Sequence, residues 1–368
     1  MQTGHNEIII FSCFLLFILL MLGIDLGIFN KKSHTLPFRE AILWTTIWVG
    51  ISIVFYLVIR LYGQELHGLN TLEKIQENID KYHHPINISN LTLNDATHLY
   101  NRNLSLEYLS GYLIEYSLSV DNIFVIIMLF LSFSIQPKYY KKVLFWGILG
   151  AIVMRFIFIF AASVLIQRFS WFLYLFGVLL IFLGIKMGWE FFSKKADEKI
   201  DTHKHQVVRL VSRFFSVAGE GHESRFWIME KGRFFITPLF IVLVVIEFSD
   251  VLFAVDSVPA VFSVTRDPYI VFFSNIFAIL GLRSLFFLVM NVMDYFHFLK
   301  LGLAFLLAFV GVKMLVHLPL TTEGSFGIIL GILAFFILLS LIFPEKVTES
   351  QSHKVTKSQS NKATRPGI

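Results

Sequence analysis

Cysteine is almost absent from this chain: Cys13 is the only one in 368 residues. A lone thiol excludes an intrachain disulfide, a CxxC redox pair and a thiolate-rich metal centre. Charge is scarce too, at 15% of residues against 56% hydrophobic, where a soluble domain carries about a quarter. No basic stretch precedes the first apolar run, which opens on Met1-Gln2-Thr3-Gly4-His5-Asn6-Glu7. A cleavable signal is therefore not expected. What the chain has in excess is apolar bulk, with 41 Phe and a mean hydropathy of +0.70. That composition is too apolar for a soluble globule and too long for one anchor, so the chain reads as a polytopic membrane protein with the lipid bilayer as its first partner. The net charge of +5 would suggest nucleic acid in a soluble protein. Here the basic residues follow topology instead, and no nucleic-acid partner is expected.

Nine apolar spans approach the length of about 20 residues that a bilayer requires. They cover 8–28, 41–61, 109–133, 143–166, 171–192, 236–261, 269–293, 300–317 and 326–343. Connections after odd-numbered spans carry Lys31, Lys32 and Arg39, then Lys138, Lys141 and Lys142, then a basic stretch from Lys194 to Arg233, then Lys300 and the tail. Connections after even-numbered spans carry only Lys74, Lys81, Arg102, Arg168 and Arg266. The positive-inside bias then puts the N-terminus outside and the C-terminus in the cytoplasm. Residues 62–107 become an outside loop, acidic and holding His83-His84; residues 193–235 become a cytoplasmic loop containing Glu220-Gly221-His222-Glu223. Both read most simply as solvated surface, although 193–235 and the tail are open to cytoplasmic partners. The transmembrane domain is 1–343, and 344–368 is a polar tail expected to be disordered, with an eight-residue unit from Val347 repeated from Val355.

Spans three to five and six to eight repeat one another. Ser119-Val120-Asp121-Asn122 aligns with Ala254-Val255-Asp256-Ser257, the run Gly147 to Arg155 with Asn275 to Arg283, and Gly184-Ile185-Lys186-Met187 with Gly311-Val312-Lys313-Met314. Each unit, about 109–192 and about 236–317, has an odd number of spans, so the second copy enters from the opposite face. The expected fold is thus all-α, with about nine transmembrane helices and an inverted three-helix repeat. Transporters of that architecture hold their substrate near the midplane, where the copies meet.

The carboxylates concentrate there. Glu115 stands to Asp121 as Asp250 stands to Asp256, six residues apart, with Glu247 beside the second pair. An ionised carboxylate inside a span costs roughly 2.5 to 3.5 kcal/mol on lenient scales, so something must offset it. Asp25, Glu115, Asp121, Glu247, Asp250 and Asp256 face Arg155, Lys186, Arg283 and Lys313, and Lys186 and Lys313 can snorkel from span ends. A divalent cation or two protons would neutralise the surplus. Two carboxylates six residues apart point about 120° apart on a regular helix. An ion between them requires unwinding, and Pro259 supplies a mechanical cause for a break beside Asp256. Carboxylates with Asn122 and Ser257 form a hard-oxygen ligand set, suited to Mn²⁺, Ca²⁺ or Mg²⁺. The competing reading makes Arg155 and Arg283 structural partners of these acids with no ion bound. Asp25 is better placed as a local cap, and Asn275 as an interhelical hydrogen-bonding group.

The segments Glu115 to Phe124, Pro238-Leu239, Asp250 to Pro259, Thr265 to Pro268 and Ser274 to Arg283 closely resemble the TerC/Alx family of integral membrane proteins, over roughly 8–343. The resemblance implies a fold like the lysine exporter superfamily, a link to tellurium resistance and to alkaline or metal stress, and Mn²⁺ as the exported ion at the acids of spans three and six. It also implies a bacterial cytoplasmic membrane as the protein's home; no tightly bound cofactor and no enzyme activity are expected. An intramembrane aspartyl protease is disfavoured, because neither Asp121 nor Asp256 follows the glycine of a GxGD pattern. A non-transporting membrane scaffold or sensor of a stress-response complex is the remaining alternative.

Overall fold

The computed structural model describes residues 12–21, 23, 37–133, 135–169, 171–193, 216–217, 225–230, 233–292, 298–316 and 320–343. Asp25, the tail 344–368 and residues 194–215 and 218–224 lie outside the described residues. Helices account for most of the rest. They are α1 (Ser12–Met21), α2 (Phe38–Tyr62), α3 (Leu72–Tyr82), α4 (Leu93–Ser132), α5 (Tyr140–Arg168), α6 (Trp171–Phe192), α7 (Pro238–Phe262), α8 (Pro268–Leu280), α9 (Leu282–Val292), α10 (Leu299–Val316) and α11 (Thr322–Ile342). Their starts follow local chemistry. Thr237, Asp267 and Thr321 accept backbone N–H bonds at the N-termini of α7, α8 and α11, and Pro238 and Pro268 fill first-turn positions where no N–H is needed.

Six helices are long and apolar enough to cross a bilayer among the described residues: α2, α5, α6, α7, α10 and α11, or seven if α8 and α9 form one bent span. The lipid face is visible in their exposed side chains, such as Leu43 and Val54 on α2 and Phe182 and Trp189 on α6. An apolar belt of that extent is tolerable only in hydrocarbon.

Several expectations are corrected. Span three is the second half of a 40-residue helix, α4, about 60 Å long and so roughly twice the hydrocarbon thickness. Its first half belongs to residues 62–107, which form a packed cap rather than a solvated loop. There a 3₁₀ turn (Gly63–His67) leads to α3, whose Ile75, Ile79 and Tyr82 are buried. Residues 193–235 are likewise not purely loop: β1 (Ser216–Val217), β2 (Trp227–Glu230) and β3 (Arg233–Ile236) make a small sheet in the order β1-β3-β2, with Glu230 opposite Arg233. The expected break beside Asp256 does not occur. Helix α7 runs through Pro259, which leaves the Val255 carbonyl without its helical donor but has only three helical residues beyond it. Helix α4 is equally continuous between Glu115 and Asp121. The break falls in span seven, at Gly281, where α8 and α9 meet at 49°.

Helix α8 is the centre of the bundle: every residue from Ile270 to Leu280 is buried. Aromatic side chains fill the space around it, with Phe14 4.4 Å from Phe273 and Phe55 4.7 Å from Phe277 between ring centroids. Elsewhere the helices meet through glycine. A Cβ on Gly311 of α10 would lie 2.7 Å from the Gly177 carbonyl oxygen of α6, and one on Gly184 would lie 2.7 Å from that of Ala304. Neither neighbour is a side chain that can swing aside. Gly311→Val is therefore expected to cost about 1–3 kcal/mol by forcing the helices apart; an unchanged thermal unfolding midpoint in detergent would contradict this crossing.

Candidate functional site

Arg155, on α5, is fully buried among four helices. A guanidinium offers five donors and cannot be left unpaired in such a place. Its Nη1 donates to Glu115 of α4, to Asn275 Oδ1 of α8 at 2.7 Å and to Ser257 Oγ of α7 at 3.5 Å. Its Nη2 reaches Asp250 Oδ1 of α7 at 3.4 Å. The Asn275 amide is held for this task, because its Nδ2 donates to the Val271 carbonyl one turn back and leaves Oδ1 for the guanidinium. Gly111, one turn from Glu115, lets α4 approach closely: a Cβ there would lie 2.9 Å from Ser274 Oγ and from Val261 Cγ1.

The cluster is acidic beyond its own pairing. Two carboxylates share one guanidinium, and Glu115 Oε2, Asp250 Oδ2 and Arg155 Nε have no hydrogen-bonding partner among the described residues. The two orphaned carboxylate oxygens are costly to bury, and they are the atoms a cation would engage. Asp250 also lines a cavity of about 30 Å³ with Asn122, Gly147, Ala151, Ile279 and Leu282, room for about one water-sized species. Glu247 lies three residues before Asp250 on α7 and packs against Gly150 of α5, where a Cβ would collide with its carboxylate.

The structure thus brings Glu115, Asp250, Ser257, Asn275 and Arg155 into one cluster, with Asn122 and Glu247 at its border. Asp121 and Asp256 lie on continuous stretches of α4 and α7, and their side chains fall outside the described atoms. Arg283 is buried at the start of α9, beyond the Gly281 break. Among the described residues, no three His, Cys, Asp or Glu side chains converge as a metal-binding group.

A second set of buried polar residues could not be anticipated from residue order. At the end of the bundle formed by residues 62–107, His67 Nε2 meets Asp267 Oδ2 at 2.8 Å and His84 Nδ1 meets Glu107 Oε1 at 2.8 Å, with all four side chains buried. Asn103 Nδ2 donates to Glu107, and Thr322 Oγ1 of α11 donates to Asn103 Oδ1, each at 2.7 Å. Burial opposes a charged His84, but the Glu107 carboxylate and its hydrogen bond outweigh that and hold the imidazole above its ordinary value. Burial likewise opposes ionisation of Asp267, yet His67, by charge and hydrogen bond, keeps its carboxyl below the usual range. Only the His83-His84 dipeptide gave a signal, since partners 200 residues apart leave no local pattern.

These features define a polytopic, mainly helical membrane protein with a buried ionic cluster at its centre. The chain belongs to the integral membrane protein TerC family, whose profile matches residues 100–349. A relative in Photorhabdus laumondii is 38% identical over 349 residues, spanning 93% of this chain and 98% of its own length. One in Escherichia coli K12 is 36% identical over 332 residues, 89% of this chain and 92% of its own. Both are named Alx, a name that describes a membrane-bound redox modulator. An uncharacterized membrane protein of Myxococcus xanthus is 38% identical over 332 residues, 89% of this chain and 91% of its own. No solved structure matches the chain.

Proposed function

We propose that this protein exports a divalent cation, Mn²⁺ foremost, from the bacterial cytoplasm through its inner membrane, by alternating access between two inverted three-span units. The observation that carries this reading is the convergence of Glu115 and Asp250, repeat-related acids from different units, on one buried arginine with carboxylate oxygens to spare. Asp121, Asp256, Asn122, Ser257 and Glu247 complete the ligand set, all hard oxygens that suit Mn²⁺, Ca²⁺ or Mg²⁺. Helix packing supports the twofold relation: α6 packs on α10, α4 on α8 and α5 on α7, the pairing that two exchanged units require. Arg155 would act as the resident counter-charge, which incoming cations or protons displace from one carboxylate at a time. Proton antiport follows from competition for the same oxygens. Redox modulation, as in the relatives' name, gains nothing from one cysteine.

The test is cellular manganese content in a strain without its own exporters, with this protein or its Asp121→Asn and Asp256→Asn variants at equal expression. Lower manganese with the intact protein alone supports a transport site at the duplicated acids. Unchanged manganese, with stress resistance kept by the variants, would sink the export reading. The scaffold alternative then leads, favoured by one observation: β2 presents Trp227 and Met229 outward from the basic connection, a surface suited to a partner protein. In that case Trp227→Ala and removal of 345–368 should abolish resistance while the acids stay dispensable.

A further inference from the structure

His84 and Glu107 take no part in the Arg155 cluster, yet they are 5% and 0% exposed. Beyond their shared 2.8 Å contact, each keeps one more buried polar atom, His84 Nε2 and Glu107 Oε2, without a hydrogen-bonding partner among the described residues. The two residues also face different spaces. His84 lines a cavity of about 640 Å³ with Asp80, His83, Asn87 and Ser89. Glu107 lines another, of about 380 Å³, with Ser263, Arg266 and Lys313. A titratable, hydrogen-bonded pair therefore stands between two cavities that adjoin at His83, with one vacant buried atom on each residue. Glu107 precedes Glu115 by eight residues on the continuous α4, a rise of about 12 Å, and the second cavity is also lined by Phe262, five residues beyond Ser257 on α7.

We propose that His84 and Glu107 form a proton relay joining the surface at the 62–107 cap to the space above the Arg155 cluster. This deepens the export reading and rests on it for which face is outside and which cation is exchanged. A proton adds to His84 Nε2; the Nδ1 proton passes to Glu107 Oε1; the carboxyl then releases its proton into the second cavity. One proton enters and one leaves, no electrons move, and the cycle closes when the imidazole exchanges its Nε2 proton for one on Nδ1. The surroundings fit this task. Tyr82 and Tyr100 stand edge-on to the His84 ring and exclude solvent from its faces. Asn103 steadies Glu107 by donating to Oε1. Asp267 favours a charged His84 and His67 opposes it, and Lys313 and Arg266 line the second cavity together with Glu107. A purely structural His–Glu pair needs neither the second cavity nor the vacant atoms.

The test uses the full chain in phosphatidylethanolamine and phosphatidylglycerol vesicles, with a pH dye and a Mn²⁺ dye inside. Wild type should move protons against Mn²⁺, and His84→Gln and Glu107→Gln should cut the proton flux about a hundredfold, the scale of a lost positioned acid or base. Glu107→Asp should retain flux, and equilibrium Mn²⁺ binding should survive in all variants. Wild-type proton flux in both Gln variants overturns the relay. Mn²⁺ movement without protons in wild type overturns it too, while leaving export intact. If wild type moves neither, export fails and infrared difference spectra decide the relay alone. A carboxyl band that changes with pH, is missing in Glu107→Gln and shifts in His84→Gln supports it; the absence of such a band overturns it. Should the Gln variants not fold, the same band decides the relay through wild type and Glu107→Asp: a titrating band that shifts with the shorter acid supports it, and no titrating band overturns it.

Discussion

Replacing Arg155 by leucine should destabilise the protein by about 3–5 kcal/mol, the usual consequence of removing one partner from a buried ion pair. Glu115 and Asp250 would then face each other in a nearly dry interior with no guanidinium between them, and Asn275 Oδ1 would lose its donor. Thermal unfolding in detergent reads the loss. Neutralising the acids as well, with Glu115→Gln and Asp250→Asn, should restore most of it, since replacing a whole buried ionic group is often close to neutral. The triple variant separates two roles of the same residues. It should fold and insert, yet leave cellular manganese unchanged, because the atoms proposed to engage the cation are gone. A triple variant that still lowered manganese would relocate the transport site away from Arg155.

Asp267→Ala should have an effect of similar size, about 3–5 kcal/mol, for a different reason. Asp267 is the N-cap of α8, accepting the Tyr269 N–H at Oδ1 while Oδ2 holds His67. One substitution removes both the cap and the clamp that ties the 62–107 segment to the central helix. The acid side of the pH dependence follows from its sign. With its folded pKa depressed, Asp267 contributes stability above the unfolded carboxylate value of about 3.9, lost as pH falls through the folded value. His84 works oppositely: its raised folded value makes its contribution complete below about 6.5 and lost as pH rises through that folded value. The cap should be firmest between about pH 4 and 6.5. Unfolding midpoints measured across pH should fall on both sides of that window, and His84→Gln should blunt the alkaline fall alone.

Much of this architecture could be read from residue order. Apolar runs mark the helices because lipid permits little else, and two of the acids picked out by their cost inside a span, Glu115 and Asp250, meet at Arg155. The position of Arg155 between Glu115 and Asp250 could not be read, since it depends on how α4, α5 and α7 cross. Pro259 misled because only three helical residues follow it, so little of α7 lies beyond the lost bond, whereas Gly281, lacking any Cβ and facing Trp48, marks the real joint. The sheet had a signal that went unused: Trp227 to Glu230 and Arg233 to Ile236 are short strand-like runs separated by Lys231-Gly232. The cap was misjudged by its polarity. His67, Glu107 and Asp267 are polar residues whose partners lie in other elements, so nothing local distinguishes them from a solvated surface.

The bend at Gly281 bears on how the protein is made. Helices α8 and α9 have 13 and 11 residues, each well short of the roughly 20 that crosses a bilayer. Neither half is a competent insertion unit, and α8 presents almost no side chain to lipid once in place. During synthesis this segment must be accepted by helices already waiting, α2, α4 and α5, which are all N-terminal to it and all in contact with it. The biosynthetic order of the chain is then a requirement of its architecture: circular permutants that place residues 268–292 ahead of α2 should fail to assemble even though every final contact is preserved.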